Sequence, residues 1–189
     1  MITNKNGGLD TLTTDISNGK FEYQGSTIPD FYGSFTQSVT YKQFTLSALF
    51  MFQVGGLTYD QNYASLMAVG TSYGAAYHTD ILNRWQKPGD ITNVPRLDAG
   101  RSAQFNGASS RWLIDASYFN IRTVNLSYNL PKSLTNRMKV NNGQFFVSIE
   151  NALFSSKRIG LNNQQAFSGV TSNAYPPARV FTVGVSLNL

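Results

Sequence analysis

The chain has no cysteine and a single histidine, His78. Without thiols there is no disulfide framework, thiolate metal site or cysteine nucleophile. One imidazole, with Tyr77 before it and Asp80 two residues on, provides neither a ligand set nor an acid–base pair, and His78 reads as a loop residue. Charge is scarce as well: Asp, Glu, Lys and Arg make up 13% of the residues, about half the share usual in soluble domains. The net charge of +5 and a pI near 9.5 come from scattered single basic residues. No Lys/Arg run exists to follow a phosphate backbone, which excludes nucleic acid as a partner. No apolar run approaches the ~18 residues of a helical membrane span; the longest obvious one is 48–52. Paired carboxylates, a Ser/His/Asp set in a plausible context and a phosphate-binding glycine loop are all missing, so no enzyme and no cofactor is expected. The opening Met-Ile-Thr-Asn-Lys-Asn-Gly-Gly lacks the apolar core of a secretory signal. Either the protein stays inside the cell or the chain starts elsewhere than the whole polypeptide does.

What the chain does have is aromatic residues, at 13%, sixteen glycines and long stretches of strict alternation. Residues 1–30 are polar and without sustained period, a lead-in with at most a short strand near 20–23. From there the pattern predicts strands at about 31–41, 44–54, 116–130, 144–154 and 179–189. The first two are joined by Lys42-Gln43 alone and form a hairpin. The last places Phe181, Val183, Val185, Leu187 and Leu189 on one face and Thr182, Gly184, Ser186 and Asn188 on the other. In the third, Val124, Leu126, Tyr128 and Leu130 alternate with Thr123, Asn125, Ser127 and Asn129. Between strands two and three the alternation is lost over 55–115, a length that in a compact domain signals a functional loop. Its many aromatics, Tyr59, Tyr63, Tyr73, Tyr77, Trp85, Phe105 and Trp112, argue against a disordered tail.

The polar faces decide the class. A soluble sheet carries Lys, Glu and Arg toward water, whereas these strands carry Ser, Thr, Asn, Gln and Gly and leave nearly all charge to the connections. That is the wall of a membrane barrel, apolar toward lipid and small-polar toward a wet lumen. Strands of about ten residues match a tilted membrane crossing, and the connections alternate short, very long, medium and long. The short side is periplasmic, which puts 55–115 and 155–177 outside the cell. Five strands close no membrane barrel, and an open edge in lipid leaves backbone groups unsatisfied. The chain must be completed by other strands, from the same or another polypeptide.

Several phrases carry a resemblance. Ile28-Pro29-Asp30-Phe31-Tyr32-Gly33-Ser34-Phe35, Arg84-Trp85-Gln86-Lys87-Pro88-Gly89-Asp90 with Val94-Pro95-Arg96, and Ser110-Arg111-Trp112-Leu113 are three. The stretch 117–131, from Ser117-Tyr118-Phe119-Asn120-Ile121-Arg122 to Pro131, is another, with Asn151-Ala152-Leu153-Phe154 and Tyr175-Pro176-Pro177-Ala178-Arg179 after it. In this order they resemble the C-terminal part of SusC-like (RagA-like) TonB-dependent outer-membrane transporters of the Bacteroidota. The resemblance implies an all-β chain supplying the last five strands of a 22-stranded transmembrane barrel with long extracellular loops. It implies uptake of oligosaccharides or other nutrients across the outer membrane of a Gram-negative cell, with a SusD-like lipoprotein as lid. It also implies energy from the TonB complex through a plug that these residues do not include. Such barrels usually end on an aromatic residue; this chain ends on Leu189.

Within that frame Arg84, Trp85, Pro88, Asp90 and Arg96 are the candidates for a loop facing substrate or lid, and Phe181, Val183, Val185, Leu187 and Leu189 mark the terminal assembly strand. Packing of the loop on the barrel rim is the alternative role for the first group. Trp112, Tyr118 and Tyr128 fit an interfacial girdle or packing, and Glu150 reads as a lumen-side carboxylate that is hydrated or paired with Arg122 or Arg179. Two other classes remain open from the residues: a small oligomerising structural or adhesion barrel, and a soluble lipocalin-like binding module.

Overall fold

The computed structural model describes residues 2–3, 12–13, 17, 19–68, 74–97, 107–162, 164, 168–171 and 177–188. In chain order the strands are β1 (Ile2–Thr3), β2 (Leu12–Thr13), β3 (Phe31–Tyr41), β4 (Phe44–Val54), β5 (Leu57–Asp60), β6 (Leu113–Asp115), β7 (Tyr118–Asn129), β8 (Asn142–Ser156), β9 (Val170–Thr171) and β10 (Val180–Asn188). Helices α1 (Gln61–Leu66) and α2 (Lys132–Met138) and 3-10 turns at Thr79–Asn83 and Ser110–Trp112 complete the set. The chain divides into two units, one of residues 1–27, 57–114 and 166–173, the other of 28–56, 115–165 and 174–189.

The second unit is an antiparallel sheet in the order β10-β8-β7-β4-β3. Its register fixes the faces. Phe35 lies opposite Phe50, Val39 opposite Leu46, Leu46 opposite Leu126, Leu126 opposite Val147, and Val147 opposite Val183. The other face carries Ser38, Ser47, Asn125, Ser148 and Thr182 in neighbouring positions across all five strands. No described residue covers the apolar face: Phe181 is 66% and Val183 76% exposed, and Phe35, Leu46, Leu126 and Val147 are exposed with them. The polar face is mixed, since Leu49, Met51 and Phe146 share it, and Phe146 lies over Gly184 where a Cβ would collide with its ring.

Sequence alternation alone misreads half of β7. The pairing with β4 shifts register between Leu49 and Phe50, so that Arg122 is an extra residue and Thr123 and Ile121 face consecutive partners. The bulge reverses the phase of the side chains. Phe119 and Ile121 join Val124, Leu126 and Tyr128 on the apolar face, and Asn120 goes to the polar one, opposite Met51 and Phe154. Strand β8 absorbs the same irregularity with Asn151 at φ 52, in the left-handed region that Asn tolerates. The Asn151 carboxamide bridges it: its oxygen accepts from Arg122 at 2.7 Å and its nitrogen donates to the Ala178 carbonyl at 2.9 Å. Arg122 is thereby taken up by an amide, not by Glu150, and no ion pair of Glu150 with Arg122 or Arg179 forms among the described residues.

At one end of the sheet sit the connections 42–43 and 130–141. Lys42 turns the hairpin at φ 54 and its ammonium lies 5.3 Å from the Tyr41 ring, while Phe44 and Tyr128 are 4.7 Å apart. The second connection, read from sequence as one of medium length, contains α2, which starts after Pro131 and ends on Lys139 at φ 55. The long connections leave from the other end. Residues 20–23, where a short strand was expected, have none; Lys20 pairs there with Glu22 at 2.5 Å.

The first unit gives structure to most of the apparently patternless stretch. A small sheet in the order β6-β5-β9 includes the parallel pairing of β5 with β9, and β1 pairs with β2. Asp60 caps α1 by accepting from the Tyr63 amide at 3.0 Å. Ala64, Met67, Val94 and Trp112 form the core, with Tyr59, Tyr63 and Ile81 against it. Elements of two to six residues are too short to show a period, which is why the sequence left them as loop.

Candidate functional site: the loop cleft and the terminal strand

The Arg84–Arg96 segment is a hairpin-like loop held at its base by the Trp85 amide donating to the Val94 carbonyl at 2.9 Å. Thr92 locks it further, its hydroxyl donating to the Asn83 carbonyl at 2.6 Å and accepting from the Val94 amide at 3.1 Å. At the tip, Asp90 accepts from the amides of Gln86 and Lys87, both at 2.9 Å, and Gly89 adopts φ 98. This is the turn that Lys-Pro-Gly-Asp predicts, with Gly supplying the positive φ and Asp closing the ring.

The fixed loop opens onto a cleft of about 620 Å³ lined by Trp85, Thr92, Asn93, Val94, Pro95, Arg96 and Arg111. Of the five loop candidates, Trp85 and Arg96 line it. Arg84 ends the 3-10 turn, its amide donating to the Ile81 carbonyl, Pro88 is exposed in the tip, and the Asp90 carboxylate is spent on the turn. The cleft residue that sequence reasoning did not single out is Arg111. Its guanidinium lies 4.8 Å from the Trp112 ring, and burial lowers its pKa from the ordinary arginine value, with a smaller opposing effect from Tyr63. An arginine keeps its charge through such a shift. The adjacency in Ser110-Arg111-Trp112 was the available signal, since an Arg beside a buried Trp stacks on it readily.

Trp112 itself is 1% exposed, with its indole N–H donating to the Gly107 carbonyl at 3.0 Å and Tyr63 edge-on at 5.7 Å. It is core, not girdle. The Tyr63 hydroxyl donates to Asp80 at 2.7 Å, and His78 Nδ1 accepts from the Asp80 amide at 3.2 Å. The same ring nitrogen lies 3.3 Å from the Asp80 carboxylate, and His78 caps the turn at Thr79–Asn83. Among the described residues no cluster of His, Cys, Asp and Glu is arranged to hold a metal, and no helix is long and apolar enough to cross a membrane.

In the terminal strand, Phe181, Val183, Val185 and Leu187 stand on the exposed apolar face opposite Ile149, Val147, Phe145 and Gly143. Leu189 lies outside the described residues. The cleft offers two guanidiniums beside an indole and a proline, a combination suited to anionic or ring-bearing ligands. The terminal strand offers a greasy surface and a free hydrogen-bonding edge.

No family model matches the chain. It is 30% identical over 185 residues to TonB-dependent receptor P3 of Formosa agariphila, covering 92% of this chain and 18% of that protein. TonB-dependent receptor P39 of the same organism is 28% identical over 155 residues, covering 81% and 14%. Among solved structures, the RagAB peptide transporter aligns with a TM-score of 0.73 at 25% identity, over 87% of this chain and 18% of that one. The RagAB peptide importer in its closed-closed state gives a TM-score of 0.73 at 23% identity, over 92% and 20%. The chain thus spans less than a fifth of the length of the curated relatives it matches, and the part matched is their C-terminal one.

Proposed function

From its kinship with the C-terminal part of SusC/RagA-type TonB-dependent receptors, we propose that this chain forms one stretch of the wall, with extracellular loops, of a 22-stranded outer-membrane transporter for oligomeric nutrients. The observation that carries the proposal is the uncovered apolar face of the five-stranded sheet. A soluble protein does not leave so large a contiguous apolar surface in water. Eleven residues at about 3.4 Å each make a strand of about 37 Å, or about 26 Å when tilted 45°, close to the height of an apolar barrel band. Within the sheet β3 and β10 each pair on one side only, and in lipid both edges require further strands.

The sequence points to oligosaccharides or other nutrients as cargo, and the solved relative is described as a peptide transporter; an oligomeric polar cargo covers both. The 84–96 loop and its cleft then face cargo or a SusD-like lipoprotein lid, and TonB acts through a plug contributed by other residues. The 130–141 connection faces the periplasm. The test is uptake: a strain whose complete receptor carries this chain imports its oligomer only with an intact TonB complex, and loses import when the chain is deleted. A soluble, monomeric, folded product of residues 1–189 made without detergent overturns the membrane reading.

A further inference from the structure

The two ends of the five-stranded sheet differ in charge. At the end that holds the connections 42–43 and 130–141, the charged side chains are Lys42, Lys132, Arg137 and Lys139, and the sequence has no Asp or Glu in 31–59 or 116–149. The opposite end carries both signs, with Asp30 and Asp115 as well as Lys157 and Arg158. The Gln43 carbonyl accepts from the Asn129 amide at 2.9 Å, which sets the two connections side by side. Helix α2 is a fixed part of this end: Thr135 is 1% exposed, and just beyond the helix the Asn141 amide donates to the Asn188 carbonyl at 2.7 Å. Among the described residues none of the four cations makes an ion pair.

We propose that this end of the sheet is a docking surface for anionic phospholipid headgroups in the leaflet that meets the periplasm, a reading that rests on the membrane orientation above. The apolar face runs up to it: a Cβ on Gly143 would collide with the side chain of Leu130, beside Leu187. Leu134 and Met138, four residues apart and so on one face of α2, are exposed, as are Lys132, Arg137 and Lys139 around them. An apolar strip bordered by cations lies at the boundary between acyl chains and headgroups. Tyr41, Phe44 and Tyr128 supply aromatic rings at the same level, as at a membrane interface. The Lys42 ammonium over the Tyr41 ring keeps its stem among apolar groups and its charge toward the headgroups. Cations of one sign, with no carboxylate among them, are complemented by a headgroup of net negative charge; a zwitterionic headgroup brings its own cation and gains less.

The test uses the complete receptor reconstituted in phosphatidylcholine vesicles with a trace of spin-labelled phosphatidylglycerol or spin-labelled phosphatidylcholine, each alone. Electron spin resonance reads the fraction of label that the protein restricts in motion. The wild type is expected to hold phosphatidylglycerol over phosphatidylcholine about twofold or more, and to lose most of that preference in about 1 M salt. The variant Lys132→Gln/Arg137→Gln/Lys139→Gln changes exposed side chains only; with folding checked by heat-modifiable migration, it is expected to lose most of the preference as well. Lys157→Gln, at the opposite end, is expected to keep it. Equal association of both lipids in the wild type, or an equal loss in Lys157→Gln, overturns the proposal. An undiminished preference in the triple variant overturns it too, and a fall in import there would assign the surface to an acidic periplasmic protein. Failure of the membrane reading looks different: motionally restricted lipid of either kind is then absent.

Discussion

Trp112 and Asp115, three residues apart, show how differently single side chains contribute. Trp112 fills the centre of the loop unit between Tyr63, Met67 and Val94, and truncating a buried aromatic of this kind costs about 3–5 kcal/mol. Trp112→Ala is therefore expected to open the 57–114 segment to limited proteolysis, which a time course of cleavage at fixed protease concentration reads directly. Asp115 is mostly exposed and matters through one turn: its carboxylate accepts from the Ser117 amide at 2.8 Å and from the Ser117 hydroxyl at 2.5 Å. The hydroxyl and amide of Ser117 hold the Asp115 pKa below the ordinary carboxylate value. A folded pKa below the unfolded one means that the turn's contribution is present above about pH 4 and is lost as pH falls through the folded value. A carboxyl-carbon NMR titration should find a midpoint for Asp115 below about 3.9, and Ser117→Ala should raise it. At the cleft, Arg111→Gln removes the cation over Trp112 and should weaken capture of anionic oligomers while leaving neutral ones unchanged.

The bulge at Arg122 is the feature that sets the faces of the sheet. Strict alternation across β7 would send Asn120 and Arg122 to the apolar side along with Val124; the extra residue sends Phe119 and Ile121 there in their place. Deleting Arg122 should therefore remove the bulge without reversing the strand, leaving Ile121 opposite Phe50 and Asn120 opposite Met51. Retention of the folded, heat-resistant band in semi-native electrophoresis is the expected result. On the same physical ground, Val147→Arg on the apolar face should cost about 2–4 kcal/mol of insertion free energy at mid-membrane depth, while Ser148→Arg on the polar face should be tolerated. The five strands and their antiparallel arrangement were legible because eleven-residue runs of period two leave few other readings. The bulge was not, since one inserted residue changes the phase without changing the composition. The short elements of the loop unit escaped for want of length, and Arg111 was overlooked because its role depends on Trp112 being buried, which no spacing reveals.

For the whole molecule, two features point the same way: an apolar face with no protein to cover it and a sheet with two open edges. Among the described residues the two largest fully buried side chains, Trp112 and Met67, lie in the loop unit, while Phe31, Phe35, Phe44, Phe145 and Phe181 of the sheet stay exposed. That distribution inverts a soluble domain and suits a surface whose solvent is hydrocarbon. The likeness to TonB-dependent receptors supports the same reading at the level of fold. Of the residues that line the loop cleft, the sequence marked Trp85 and Arg96.

The direct test is spin-label accessibility along β4, β8 and β10 in the complete receptor reconstituted in lipid. Single labels at Leu46, Val147 and Val183 should collide with dissolved oxygen and be shielded from a water-soluble nickel chelate, and labels at Thr45, Ser148 and Thr182 should show the reverse. Aqueous accessibility at the first three positions, or no alternation between the two sets, would contradict a lipid-facing sheet.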